Sequence, residues 1–232
     1  MTRLKICGLM NEQDIQLCAA AGANMLGFVI NYPVPVPWAL SKEQAKELLA
    51  CVPEAVESCI VTGGNAEEIL SLAVELRPDY VQLHYKESFE QTEYLAEALL
   101  SHGIKTIKAV PVRKDGSCEM PGFSSVAEAV SALSGTMVAA VLIDTRCAAS
   151  PASSSRQLDA EFCRGIIQIA KKPLILSGGI TADNLGQLLK HAAPYGVDIL
   201  TGTEDAPGQK NSEKIEKICR TITIGDRSLG SI

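Results

Sequence analysis

Four short stretches of this chain end in residues suited to proton transfer or anion binding. Residues 4–10 read LKICGLM, an apolar run that closes on Cys7 with Gly8 directly behind it. The run VAAVLI at 138–143 delivers Asp144 and Thr145. Ser177 leads into Gly178 and Gly179, and Leu200 leads into Thr201, Gly202 and Thr203. A cysteine is either a small buried hydrophobe or a reagent. A carboxylate that closes an aliphatic run is solvated, held by structural hydrogen bonds, or desolvated for proton transfer. The stretches SGGI and LTGT suit a phosphate, because glycine lets backbone N–H groups approach an anion and a helix N-terminus behind it adds positive potential. The plain alternative is two tight turns that need positive φ. In CAASPASSSRQLD at 147–159, Ser153, Ser154, Ser155 and Arg156 are further candidates for that phosphate, or parts of a polar lid.

These residues need a frame that brings them together. Continuous aliphatic runs at Leu4–Cys7, Met25–Ile30, Ser58–Thr62, Tyr80–Leu83, Thr106–Ala109, Ala139–Ile143, Leu174–Ser177 and Val197–Leu200 read as strands covered on both faces. Helical stretches alternate with them. NEQDIQLCAAAG ends on Gly22 as a C-terminal cap, and SKEQAKELLACV opens with a Ser41–Gln44 capping box. Eight strands and eight helices in strict alternation predict an α/β chain, a single (β/α)8 TIM barrel over residues 1–232. A doubly wound open sheet would want GxGxxG after the first strand, and CGLMNE is not that. In a barrel the chemistry sits at the C-terminal strand ends. Cys7 and Asp144 then flank a substrate from the first and sixth strands, and the loops after strands seven and eight are where phosphate recurs in this fold. The tail IGDRSLGSI reads as a frayed terminus.

A net charge of -6 argues against a nucleic-acid partner. The longest aliphatic run is far short of a membrane helix, and polar residues enter too early in MTRLKICGLMNEQD for a signal peptide. A cytoplasmic protein with neither nucleic-acid nor membrane partner is expected. Eight cysteines without CxxC spacing and only three histidines argue against zinc, so no metal is expected and the thiols should be reduced.

The stretches KICGLMNEQD (5–14), AGANMLGFV (21–29), DYVQLH (79–84), IKAV (107–110), LIDT (142–145), LSGGITADNL (176–185) and PYGVDILTGTEDAPGQKNSEKI (194–215) run through most of the chain. In that order they resemble the phosphoribosylanthranilate isomerase family of tryptophan biosynthesis. The resemblance implies a cofactor-free Amadori rearrangement of N-(5-phosphoribosyl)anthranilate in a monomer or homodimer. Cys7 then falls on the general base and Asp144 on the general acid, with Gly178, Gly179, Gly202, Thr203 and Ser154 toward the phosphate. A free thiol has a pKa of about 8.5, so Cys7 needs a site that favours its anion. Trp38, His84 and Arg156 are the candidates around the aromatic end. Three places depart from the family pattern. NYPVPVPWALS at 31–41 has no arginine for the anthranilate carboxylate, ASSS at 152–155 stands in place of a glycine-rich loop, and Tyr85 replaces a glycine. A paralogue acting on or binding another phosphosugar is the alternative.

Overall fold

Short runs of Val, Ile, Leu and Phe bury both faces of a strand, and such strands need helices outside them and one another inside. In the computed structural model they do this by closing on themselves. The structure describes residues 1–113, 115–145 and 159–229. The strands are β1 (Arg3–Cys7), β2 (Met25–Ile30), the two-residue β3 (Ala39–Leu40), β4 (Glu57–Thr62), β5 (Tyr80–Leu83), β6 (Lys105–Pro111), β7 (Ala140–Asp144), β8 (Leu174–Ser177) and β9 (Gly196–Ile199). A small hairpin follows, β10 (Glu204–Ala206) and β11 (Gln209–Lys210). The helices are α1 (Glu12–Ala20), α2 (Lys42–Ala50), α3 (Ala66–Leu76), α4 (Phe89–Ser101), α5 (Val126–Leu133), α6 (Ala160–Ile169), α7 (Leu185–Ala192) and α8 (Ser212–Leu229).

The strand order is β1-β9-β8-β7-β6-β5-β4-β2, and β1 pairs with β2 to close an eight-stranded parallel barrel. β3 pairs with β2 at Val29 and Ile30, beyond the last β1 partner, Gly27. The period of 2 sorts side chains between two faces. Ile6, Phe28, Ile60, Val81, Val141, Leu176 and Val197 point outward and pack with helix residues such as Ile15, Leu72, Leu95 and Leu189 in the main core. Met25, Cys59, Tyr80, Ile107, Ala109, Leu142 and Ile175 fill the barrel interior.

Helix starts follow local hydrogen-bonding chemistry. Asn11, Ser41, Asn65, Ser88, Ser125 and Asp159 each accept an orphan N–H at a helix N-terminus. The Ser41–Gln44 box makes both reciprocal bonds. Gly22 follows α1 with φ of +102°, a conformation that favours glycine. Three features depart from the sequence reading. The two-residue β3 adds a strand outside the eight aliphatic runs. The β10–β11 hairpin intervenes between the last barrel strand and α8. The tail is helical to Leu229, and the Thr2 N–H and hydroxyl bond the Asp226 carboxylate at 2.9 and 3.1 Å, which ties that helix to the chain start.

Candidate active site

The first strand end holds Cys7, 5% exposed, at the barrel mouth. Its partner in register is Gly27. A Cβ on Gly27 would fall 2.7 Å from the Cys7 sulfur and 3.1 Å from Lys5 Nζ, so the glycine makes the space that sulfur and ammonium share. Lys5 Nζ donates to Asp198 Oδ2 at 2.7 Å. Lys210 Nζ donates to the Cys7 carbonyl at 2.6 Å and to Glu204 Oε1 at 2.8 Å. Burial pushes the Cys7 thiol up, Lys5 and Lys210 draw it back, and Asp198 adds to the rise. Burial opposes the Lys5 charge, but Asp198, with Cys7 and Cys59, outweighs it and holds the ammonium above the usual lysine range.

Asp144 closes β7, 2% exposed, three strands around the barrel from Cys7 with β8 and β9 between. His84, just past β5, reaches over β6 and places Nε2 3.2 Å from Asp144 Oδ2. Gln82 Nε2 lies 2.9 Å from His84 Nδ1. With that amide orientation the neutral imidazole carries its proton on Nε2, toward the carboxylate. The Tyr32 hydroxyl donates to the His84 carbonyl at 2.6 Å. Burial pushes Tyr32 up, and Glu87 and Asp144 reinforce it, so Tyr32 stays a neutral donor.

The loop after β8 bends over the acid. Gly178 and Gly179 have φ of +107° and +60°, and a Cβ on Gly178 would fall 3.1 Å from Asp144 Oδ1. A Cβ on Gly202 would lie 2.0 Å from the Ile180 carbonyl oxygen, so the loops after β8 and β9 touch backbone to backbone. Thr203 is fully buried, and its N–H and hydroxyl both bond the Leu200 carbonyl, at 3.1 and 2.6 Å. It shapes the turn Thr201–Thr203, which takes up both of its donors. Ser154, Arg156 and Arg146 lie outside the described residues.

The wall over Cys7 comes from residues 31–38. Prolines 33, 35 and 37 are exposed, while Tyr32, Val34 and Val36 are half-buried and Trp38 is buried; the backbone bends at 33–34 and turns at 37–38, where the Ala39 N–H donates to the Val36 carbonyl at 3.2 Å. Trp38 is buried against Cys7, Val29 and Val61, and its indole N–H donates to Glu204 Oε1 and Oε2 at 3.1 Å. Gly8, with φ of +77°, lets the indole approach: a Cβ there would meet Trp38 Cδ1 at 3.0 Å.

Structure therefore brings Cys7, Asp144, Gly178, Gly179, Gly202, Trp38 and His84 to one mouth. It adds Lys5, Asp198, Gln82, Glu204 and Lys210, which the sequence reading passed over. A charged residue inside an aliphatic strand, as in LKIC and GVDI, is the signal that was present for the first two. Among the described residues no helix is long and apolar enough to cross a membrane.

Residues 4–221 match the family profile described as N-(5'phosphoribosyl)anthranilate (PRA) isomerase. An N-(5'-phosphoribosyl)anthranilate isomerase of Methanopyrus kandleri is 32% identical over 220 residues, covering 95% of this chain and 98% of the relative. The crystal structure of phosphoribosyl anthranilate isomerase from Thermotoga maritima superposes with a TM-score of 0.80 at 26% identity, covering 96% and 99% of the two chains. A structure of such an isomerase in complex with reduced 1-(o-carboxyphenylamino)-1-deoxyribulose 5-phosphate gives a TM-score of 0.77 at 26% identity, covering the same shares.

Proposed function

The chain belongs to the N-(5'phosphoribosyl)anthranilate isomerase family, and from that premise we propose that its barrel mouth converts N-(5-phosphoribosyl)anthranilate to 1-(2-carboxyphenylamino)-1-deoxyribulose 5-phosphate in tryptophan biosynthesis. The observation that carries this reading is the placement of a thiol and a carboxyl on separate strand ends of one mouth, with a two-loop glycine cradle beside the carboxyl. The reaction moves a proton off C2′ and opens a ring, so it asks for one base, one acid and a grip on the phosphate.

Asp144 is the acid. It protonates the ribose ring oxygen, the C1′–O bond breaks, and the nitrogen lone pair forms the C1′ Schiff base. His84 Nε2–H, set by Gln82, steadies the carboxylate left behind. Cys7, as thiolate, then takes the C2′ proton, and the electron pair moves into the enolamine, which tautomerises to the ketone. Gly178, Gly179 and Gly202 offer backbone N–H groups to the phosphate, and at Gly178 and Gly202 a side chain would strike Thr145 and Ile180 and displace the loops. Trp38 and Tyr32 wall the aromatic side.

Complementation tests the whole reading. The chain should restore growth without tryptophan to an auxotroph lacking this isomerase, and the Cys7→Ala variant should not. Failure of the unaltered, expressed chain would turn attention to another phosphosugar.

A further inference from the structure

We propose that Lys5 is a positioning residue that acts through Cys7, its ammonium being the counter-charge against which the buried sulfur becomes a thiolate. This rests on Cys7 as the base. Lys5 and Cys7 stand two residues apart on β1 and so point into the barrel together. Both border the point that a Gly27 Cβ would fill, 2.7 Å from the sulfur and 3.1 Å from Nζ. Lys5 is 2% exposed, so water contributes little to its solvation or to screening its field. One of its three N–H donors goes to Asp198 Oδ2. Asp198 Oδ1 is buried with no hydrogen-bond partner among the described residues, so this carboxylate is under-satisfied and competes for the ammonium.

Among the described residues, the charged and titratable groups acting on the sulfur come from four elements: Lys5 on β1, Asp198 on β9, Lys210 on β11 and Cys59 on β4. Lys210 also draws the sulfur toward its anion, but less than Lys5, being held on the Cys7 carbonyl and paired with Glu204. Cys59 is pushed up to about 12 by burial and stays a neutral thiol. Among the described residues Lys5 is the stronger of the two cations on the sulfur, with Asp198 tempering it. Catalysis gains from the balance: an unopposed lysine would fix a weakly basic thiolate, whereas the Lys5–Asp198 pair leaves Cys7 able to take a proton and return it.

A pair that merely joined β1 to β9 would leave the thiol titration alone when altered. Electrostatic control moves it in opposite directions from the two ends. The readout is the pH dependence of iodoacetamide alkylation at the Cys7 peptide, followed by mass spectrometry on the intact folded protein. Asp198→Asn should lower the Cys7 midpoint and Lys5→Met should raise it, with Lys5→Arg close to the unaltered protein. Because Lys5→Met strands a buried carboxylate and can fail to fold, the decisive comparison is Asp198→Asn against Lys5→Met/Asp198→Asn. The double variant should titrate about 1–3 pH units higher. Equal midpoints in those two proteins would overturn the proposal whatever their activity. Retained turnover in Cys7→Ala would instead overturn the base assignment, and the titration would show Lys5 controlling a thiol that is not catalytic.

Discussion

Burial affects many of these cysteines alike, and what separates Cys7 is its company. Cys18, Cys59 and Cys163 are pushed up to about 12 by burial, and they behave as small apolar fillers. Cys7 is also pushed up by burial, but two ammonium groups oppose the shift. A base must be deprotonated before it can act, so a raised midpoint means that activity grows with pH. We expect kcat/KM to climb through the Cys7 titration, with a midpoint above the ordinary thiol value of about 8.5. A profile flat from about pH 6 to about pH 9 would contradict Cys7 as the base. The substrate's carboxylate raises a second question at this scale. Residues 31–41 supply no cation, and Lys5, Lys108 and Lys210 are each paired with a carboxylate. The charge-assisted partner is therefore expected from Arg146 or Arg156. Losing it should lower kcat/KM about tenfold or more, roughly 1.5–3 kcal/mol, and two unaffected alanine variants would reject both arginines.

Elements decide how closely these groups can approach. The loops after β8 and β9 meet because Gly202 has no side chain to strike Ile180. Gly202→Ala should force them apart, raising KM for the phosphorylated substrate and destabilising the fold by about 1–3 kcal/mol. An unchanged KM would remove Gly202 from the phosphate cradle. The elements that could be read from sequence were those with a period or a cap. Aliphatic runs gave the barrel strands to within a residue or two, and Ser41 with Gln44 gave the start of α2. The β10–β11 hairpin was not legible, because strands of three and two residues are too short to show alternation. Its Pro207–Gly208 turn signal stood in the open but was absorbed into a family stretch. At Thr203 sequence shows only a hydroxyl beside a glycine, while the turn that takes up both its donors exists only once β9 ends.

At the scale of the whole molecule, and among the described residues, three lysine–carboxylate pairs sit inside or just above the barrel: Lys5–Asp198, Lys108–Glu87 and Lys210–Glu204. Lys108 and Glu87 are at most 1% exposed, and Glu87 also accepts the N–H groups of Gly64 and Tyr85 at 3.3 and 3.1 Å. Breaking such a pair from one side leaves a buried charge alone, so Lys108→Met should destabilise the protein by about 3–5 kcal/mol in urea unfolding. Lys108→Met/Glu87→Gln should recover part of that loss, and a single variant as stable as the unaltered protein would show the pair contributes nothing to the fold. Strand order made the barrel legible from the chain, but partners across it were not, since Lys5 and Asp198 meet only when the sheet closes β1 onto β9.

The central claim is that a thiol and a carboxyl at this mouth divide the proton transfers between them. Turnover of N-(5-phosphoribosyl)anthranilate by the purified protein, beside Cys7→Ala and Asp144→Ala, tests it most directly. Each variant should keep its circular dichroism spectrum and lose about 10²–10⁴-fold in kcat. A folded variant of either kind that turns over this substrate at the rate of the unaltered protein would contradict the claim.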